Sequence, residues 1–427
     1  MSATRLNYGK TFLLGFGFFG ISVIWGVYNA FVPIFLSDKF GLAPALIGFF
    51  MTLDNIAALF IQPPVGAWSD RLRTRWGRRI PFLMVGAPIT ALAFGLIPMA
   101  AVLPLFVACT STLLLSAALW RTPVVALMPD ITPSKFRSQA NGIINFMGGF
   151  GTIVALQTGG LLYKMSPNFP FWLGSVLVVI AALVVFLFIK EPREYEETER
   201  QPGMLESLKE VFNDNDKSGL RILLAIFFWF LGFSAVETFF TLYAKNHLGL
   251  NEGDGATLLS VLPLFFVLFA IPSGFVAGKL GRKTTISIGL ITITVMLILL
   301  YLTPAETLLT AIAPLPLVGI PLVEGGTRML TLAGVLLILG GIGWAFININ
   351  SLPMIVDLTN AARIGTFTGL YYLFSTFSAI IGPNVNGWAV QLTGGDYNII
   401  MIISPVFMLI AFVLMLGVKR GEATGSE

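Results

Sequence analysis

The chain has 427 residues, 56% hydrophobic and only 11% charged, against roughly 45–50% and 25% in ordinary soluble domains. So few charges cannot cover the surface of a water-soluble protein of this length, and the apolar excess is assigned to a lipid bilayer. A single cysteine, Cys109, and a single histidine, His247, exclude an internal disulfide, a thiolate cluster and nearly every histidine-based metal or triad arrangement.

About 30 Å of hydrocarbon needs roughly 20 apolar residues in helix. Segments of that kind fall at 11–36, 44–66, 80–100, 103–128, 139–162 and 170–190, and again at 220–246, 255–278, 283–303, 329–356, 365–390 and 396–418. The start MSATRLNYGK carries no small-residue cleavage site behind a short apolar core, so it is read as a mature, cytoplasmic end. The expected fold is all-α and membrane-integral, with twelve spans. Residues 1–190 form one six-helix half and 220–427 the other. Between them 191–219, with five Glu in nine positions followed by Pro202-Gly203, reads as a solvated cytoplasmic linker. A second long connection, 304–328, is rich in Pro and Gly and weakly charged, and is expected to sit at the outer interface.

Basic residues near helix ends set the topology. Arg71, Arg73, Arg75, Arg78, Arg79, Lys135, Arg137, Lys279, Arg282, Lys283 and Arg363 fall in alternate loops on one side, and Lys39, Lys164, Lys245 and Arg328 on the other. The formal charge of +4 is thereby explained as topology without nucleic acid, and both termini are placed on the cytoplasmic side of the cell membrane.

The two halves echo one another. After the second span comes Gly66-Ala67-Trp68-Ser69-Asp70-Arg71, then Gly77-Arg78-Arg79; after the eighth comes Gly274 through Gly278-Lys279, then Gly281-Arg282-Lys283. Likewise Asp130 precedes Arg137, and Asp357 precedes Arg363. Gly77 to Asp130 is 53 residues and Gly281 to Asp357 is 76; the extra length matches the connection at 304–328. Six spans are duplicated in parallel, an organisation suited to alternating access. Glycines on the helix face are expected to admit a close neighbour, and the acid with its basic turn to form a cytoplasmic gate. Topology alone would account for the arginines, but not for this constellation occurring twice.

These strings resemble the signature loop of the major facilitator superfamily over nearly the whole chain. Gln62-Pro63-Pro64-Val65-Gly66 through Asp70-Arg71, and Arg75-Trp76-Gly77-Arg78-Arg79-Ile80-Pro81-Phe82, resemble more narrowly the glycoside–cation symporter group and its sucrose–proton branch, as does Arg121-x-Pro123 through Asp130. The resemblance implies a secondary transporter with no cofactor, working as a monomer on a sugar or glycoside. Two departures bear on coupling. Ala58 and Gln62 stand where melibiose-type sodium symporters carry aspartates, and Leu114 where plant-type sucrose carriers have one. A proton, carried by other acids, is therefore the expected partner.

Three ionisable residues lie deep in spans: Asp54 in the second, Arg121 in the fourth and Glu237 in the seventh. Each costs at least about 2.5–3.5 kcal/mol at the bilayer centre, so such residues face a cavity, a partner or both. Helical side chains lean toward the N-terminus, which aims Arg121 at the level of Asp54; the two could form a static ion pair, or one acid could titrate in transport. Glu237, expected to be buried, is the candidate proton carrier. The superfamily resemblance implies which spans line the path, and polar groups on them are Asn29, Gln62, Asn145, Gln157, Asn348, Asn350, Asn384 and Asn386, with Trp25, Tyr28, Trp344, Tyr371, Tyr372 and Trp388 nearby. Taken singly, each reads as packing glue or interface belt; only in combination do amides beside aromatic faces suit a hydroxyl-rich ring. The runner-up function is export of amphipathic compounds, and a non-transporting receptor is the third. No metal cluster, nucleophile–base pair or phosphate loop supports an enzyme.

Overall fold

The computed structural model describes residues 6–132, 136–191, 204–213, 216–316, 319–321, 326–358 and 364–421. In the first half of the chain the helices are α1 (Tyr8–Ile34), α2 (Pro44–Phe50), α3 (Leu53–Arg71), α4 (Ile80–Leu96), α5 (Leu103–Ile131), α6 (Arg137–Met165) and α7 (Phe169–Phe188). A short α8 (Met204–Asn213) follows, then α9 (Ser218–Asn246), α10 (Glu252–Leu259), α11 (Val261–Leu280), α12 (Arg282–Leu302), α13 (Ala305–Leu308), α14 (Leu332–Val356), α15 (Ile364–Leu392) and α16 (Ile400–Leu416).

Among the described residues, ten helical stretches are long and apolar enough to cross a membrane. Two of them are broken. The second span runs Pro44–Arg71 with a turn at Met51 and Thr52, and the eighth runs Glu252–Leu280 with a turn at Ser260. The two helices that complete the expected twelve, α6 and α15, have 29 residues each, about 43 Å of helix at 1.5 Å per residue. They are long enough to span. Their amides (Asn141, Asn145 and Gln157; Asn384, Asn386 and Gln391) dilute the apolar signal. Leu92, Leu187, Ile271, Phe275 and Val413 are each more than 60% exposed. In water this would be a liability; it is what lipid contact demands.

The helices fall into two compact units. In the first, α1 packs on α6 and α7, α4 on α5 and α7, and α3 on α5. In the second, α9 packs on α15 and α16, α12 on α14 and α16, and α11 on α14. The pairings match element for element, as a parallel duplication requires. One exchange complicates the match. Residues 252–260 belong to the first unit, where α10 packs on α6, and residues 43–52 to the second, where α2 packs on α15.

The connection at 304–328 adds a small sheet to the all-α bundle. It holds α13 and a three-stranded antiparallel sheet of β1 (Ala311–Pro314), β2 (Ile320–Pro321) and β3 (Arg328–Thr331), in the order β1-β3-β2. Its register pairs Ala311 with Thr331, Pro314 with Met329, and Ile320 also with Met329. Proline and glycine forbid a helix here, yet the backbone groups still need partners; short strands folded back on one another supply them. β3 runs directly into α14, whose first turn is capped by the Thr331 hydroxyl accepting from Gly334 N at 3.2 Å.

Candidate functional site

In the first unit, the Arg-rich turn folds into a closed charge cluster. Arg78 grips Asp130 with Nη2 at 2.6 Å and Nε at 3.2 Å. Arg79 donates from Nε to Asp130 at 3.0 Å and from Nη2 to Asp70 at 2.5 Å, and also to the Ser69 hydroxyl. Forked guanidinium–carboxylate contacts of this kind are the strong class of hydrogen bond. Arg79 and Asp130 keep only 6% and 11% of their side-chain surface, whereas Asp70 keeps 56%. Asp130 is thus the enclosed hub and Asp70 the solvated rim. Arg71 is exposed.

The cluster is fastened by a residue that the motif reading did not single out. Glu191, at the end of the sixth span, accepts backbone N–H groups of Arg78 at 2.9 Å, Arg79 at 2.8 Å and Ile80 at 2.7 Å. Its carboxylate therefore occupies the N-terminus of α4, where free amides and the helix dipole favour an anion. Gly77 makes the turn with φ +110°, and a Cβ there would run into the Glu191 carboxylate. An acid directly before Pro192-Arg193 at a span's end was the available signal.

The second unit carries a plainer version. Arg282 pairs with Asp357, whose side chain is 38% exposed. Gly281 makes the turn at φ +86°. There Lys283 donates to the carbonyls of Leu416 at 2.9 Å and Val418 at 2.7 Å. Lys279 is exposed; Arg363 and the side chain of Arg137 lie outside the described residues. The close approach expected at the motif glycines does not occur in this conformation. A Cβ on Gly66 would meet only Thr122, at 3.4 Å, and one on Gly274 would meet nothing within 4 Å. Gly66 thus has Thr122 of α5 close by, whereas Gly274 lies on a helix face that no described residue covers.

Deeper in the spans, Asp54 and Arg121 are half-buried on α3 and α5, which pack together. The break at Thr52 puts Asp54 in the first turn of α3, where the helix terminus favours a carboxylate. It accepts from Asn55 Nδ2 at 2.9 Å and lies within electrostatic reach of Tyr28. Tyr28 is 1% exposed, its ring set edge-on to Trp25 at 5.5 Å, and its hydroxyl is buried without a hydrogen-bond partner. Asn29, Gln62 and Asn348 are half-buried, and Asn145, on an accessible face, bonds back to Asn141 O. Asn350 is spent on Ser273 and Phe346, Gln157 on Ser260, and Asn384 on Thr52. Those three are helix glue.

Glu237 is accessible, contrary to the expected burial. Trp229, Gly232, Val236 and Phe239 take the packed side of α9, which turns residues 230, 233 and 237 outward as one stripe. That stripe leads to an aromatic wall in the second unit. Phe233 stacks on Trp344 at 3.7 Å with rings 1° from parallel, and Phe230 meets Trp344 edge-on at 5.3 Å and Tyr371 at 6.1 Å. Tyr371 shares a hydrogen bond with Ser351 at 3.1 Å and meets Tyr372 edge-on. Trp344 and Tyr371 are buried, while Phe230, Phe233 and Tyr372 keep accessible surface. Phe230 and Phe233 were missed in the sequence; their three- and four-residue spacing up to Glu237 was the signal.

The profile of the Major Facilitator Superfamily matches residues 14–333. The chain belongs to that superfamily. It is a multi-pass membrane protein and a secondary transporter of the superfamily kind. It is 25% identical to "Multidrug resistance protein 2" of Bacillus subtilis (strain 168) over 64% of this chain and 67% of that one. It is 24% identical to "Tetracycline resistance protein, class B" of Escherichia coli over 86% and 90%, and 22% identical to "Isoprimeverose transporter" of Lactiplantibacillus pentosus over 89% and 78%. Its fold is similar to that of a point mutant of the nucleoside transporter NupG, with a TM-score of 0.74 at 16% identity over 96% of this chain and 100% of that one.

Proposed function

We propose that this superfamily member is a proton-coupled uptake carrier for a neutral ring compound of the sugar or glycoside kind. The observation that carries the reading is the wall of Phe230, Phe233, Trp344 and Tyr371, ending one turn on at Glu237. A sugar ring offers apolar C–H faces and a rim of hydroxyls, so it needs a flat aromatic surface beside a few polar groups. Rings that lock one another supply the surface with little ordering cost on binding. The buried Tyr28 hydroxyl is a donor awaiting a partner. Glu237, on the same stripe as the wall, is the proton site in this reading. Asp54 and Arg121 contact substrate or set the gate.

The residues 1–190 and 220–427 are then the two moving halves, with 191–219 as linker and both termini on the cytoplasmic face of the cell membrane. The clusters at Asp130 and Asp357 serve as the inner gate. The similarity to an isoprimeverose transporter and the glycoside–cation motif in residues 62–82 support the sugar. The wall would equally accept a planar amphipathic drug, and the resistance proteins among the relatives favour export as the second reading.

Uptake of labelled disaccharides and nucleosides into proteoliposomes, with and without an inward proton gradient, tests the first. Gradient-driven accumulation that Phe233→Ala reduces at least tenfold is the expected result. Accumulation of a lipophilic dye in inside-out vesicles, with no sugar or nucleoside accumulated, would establish the second reading instead.

A further inference from the structure

The breaks in the second and eighth spans occur at equivalent residues. The 208-residue step from Gly66 to Gly274 also carries Thr52 to Ser260, Ala45 to Gly253 and Leu46 to Asp254. The 227-residue step from Asp130 to Asp357 carries Gln157 to Asn384, Gly160 to Gly387 and Lys164 to Gln391. The duplication therefore pairs two packing ladders rung by rung: α10 on α6 in the first unit, and α2 on α15 in the second.

The first rung is alike in both. Ser260 donates to Thr257 O at 2.5 Å and accepts from Gln157 at 2.5 Å; Thr52 donates to Phe49 O at 2.7 Å and accepts from Asn384 at 3.3 Å. In each case a hydroxyl ties off the broken helix and an amide from the facing helix holds it. The second rung is backbone contact. Gly160 and Gly253 press on each other's carbonyls, leaving no space for a Cβ, and a Cβ on Gly387 would meet Pro44 O at 2.6 Å.

The third rung differs. Lys164 Nζ meets Asp254 at 2.5 Å, and the Asp254 side chain is 5% exposed. At the equivalent place Gln391 accepts only from Ala45 N at 3.4 Å, and Leu46, where the duplicate has Asp254, is 56% exposed. An enclosed carboxylate that loses its counter-ion is left much worse off than a backbone amide that exchanges one neutral acceptor for water.

We propose that Lys164–Asp254 is an ionic lock on one ladder alone, so that α10 leaves α6 less readily than α2 leaves α15. The lock lies at the end of α6 remote from the Arg-rich turn of the first unit, and makes the two ladders open unequally. The inference uses the fold and the duplication, and is independent of which solute is carried.

The test reads exposure in detergent, so that neither substrate nor sidedness enters. On a Cys109→Ser background, reporters are Thr257→Cys in the first ladder, buried and with its hydroxyl unbonded, and Ala45→Cys in the second. Asp254→Asn and Lys164→Gln should each raise the maleimide reaction rate at 257 about tenfold and leave the rate at 45 within twofold. The exchange Lys164→Asp with Asp254→Lys should return the rate at 257 to its starting value. Lys164→Gln, which reproduces the glutamine of the other ladder, carries the test should Asp254→Asn fail to fold. An unchanged rate at 257 in the Lys164→Gln protein would overturn the lock, as would equal acceleration at 45. An exchanged pair that elutes as a single species yet reacts as fast as the single variants would overturn it too.

Discussion

Glu191 reaches across 111 residues of sequence to close its carboxylate on the amide of Ile80. With the Arg78 and Arg79 amides it satisfies the start of α4, over a glycine that could be nothing larger. Glu191→Gln keeps the shape but removes the charge at a helix N-terminus, and should cost about 0.5–2 kcal/mol. Gly77→Ala meets both the positive φ and the carboxylate, and should cost more. Thermal unfolding in detergent checks the order; a Gly77→Ala protein as stable as the parent would refute this account of the turn.

The two charge clusters differ in enclosure, and their mutants should differ accordingly. Asp130→Asn takes from Arg78 and the enclosed Arg79, of which 6% is exposed, the buried carboxylate they share and leaves them only the solvated Asp70, and should destabilise by up to about 3–5 kcal/mol. Asp357→Asn acts on a pair whose members are 21% and 38% exposed, where about 0–1 kcal/mol is the ordinary range. Chemical denaturation of both variants gives the comparison, and similar losses would show that enclosure is not what decides.

Tyr28→Phe separates packing from binding. The hydroxyl is buried without a partner, so its removal should leave stability unchanged or slightly improved. If substrate supplies the partner, affinity should fall about tenfold, which is about 1.4 kcal/mol. Equilibrium binding beside a melting curve resolves the two; lost stability with unaltered affinity would make the residue purely structural.

For Glu237→Gln, exchange of solute across the membrane should persist while accumulation driven by a proton gradient disappears. Counterflow and gradient-driven uptake in the same vesicles measure both. Undiminished pH-driven accumulation would exclude Glu237 as the proton site.

The chain's last described residues are tied down through Ser218 by a carboxylate whose pKa is lowered by its hydrogen bonds. Asp216 accepts from the Ser218 hydroxyl at 2.8 Å and its amide at 3.0 Å, and Ser218 accepts from Lys419 N and Arg420 N. The side-chain and backbone bonds from Ser218, with Arg420 nearby, hold the Asp216 carboxyl below its usual value. A carboxyl depressed in the folded state stabilises fully above its unfolded pKa, near 4, and loses that contribution as pH falls through the folded value. Proteolysis of the C-terminal segment should therefore accelerate below about pH 4, and Asp216→Asn should give the fast rate at neutral pH.

Much of the architecture was legible in the sequence, because a bilayer demands long apolar helices and a duplication leaves matching strings. The pairings of Arg78 with Asp130 and Arg282 with Asp357 lie between residues that the repeat had already marked. What escaped notice were features without local periodicity. The breaks at Thr52 and Ser260 lie inside segments that read as single spans; the facing amides of Asn384 and Gln157 hold them, and Pro263 in the first turn of α11 suits a new helix start. The sheet at 311–331 was hidden by its prolines, which argue against helix without specifying what replaces it. Glu237 was assigned to the interior because depth in a span was equated with burial. Its neighbours Phe230 and Phe233 show that a stripe of α9 is accessible. Substrate identity stays the least legible layer, since aromatic rings and amides serve packing and recognition with the same chemistry.

The three strands at 311–331 also have a practical consequence. β3 passes into α14 through the Thr331 cap without an intervening joint, so whatever grips the sheet grips the helix that carries Trp344. A rigid antibody fragment raised against this knob would serve as a fiducial for imaging a particle otherwise lost in its detergent belt, and the tilt of that fragment would read out the angle of α14 directly.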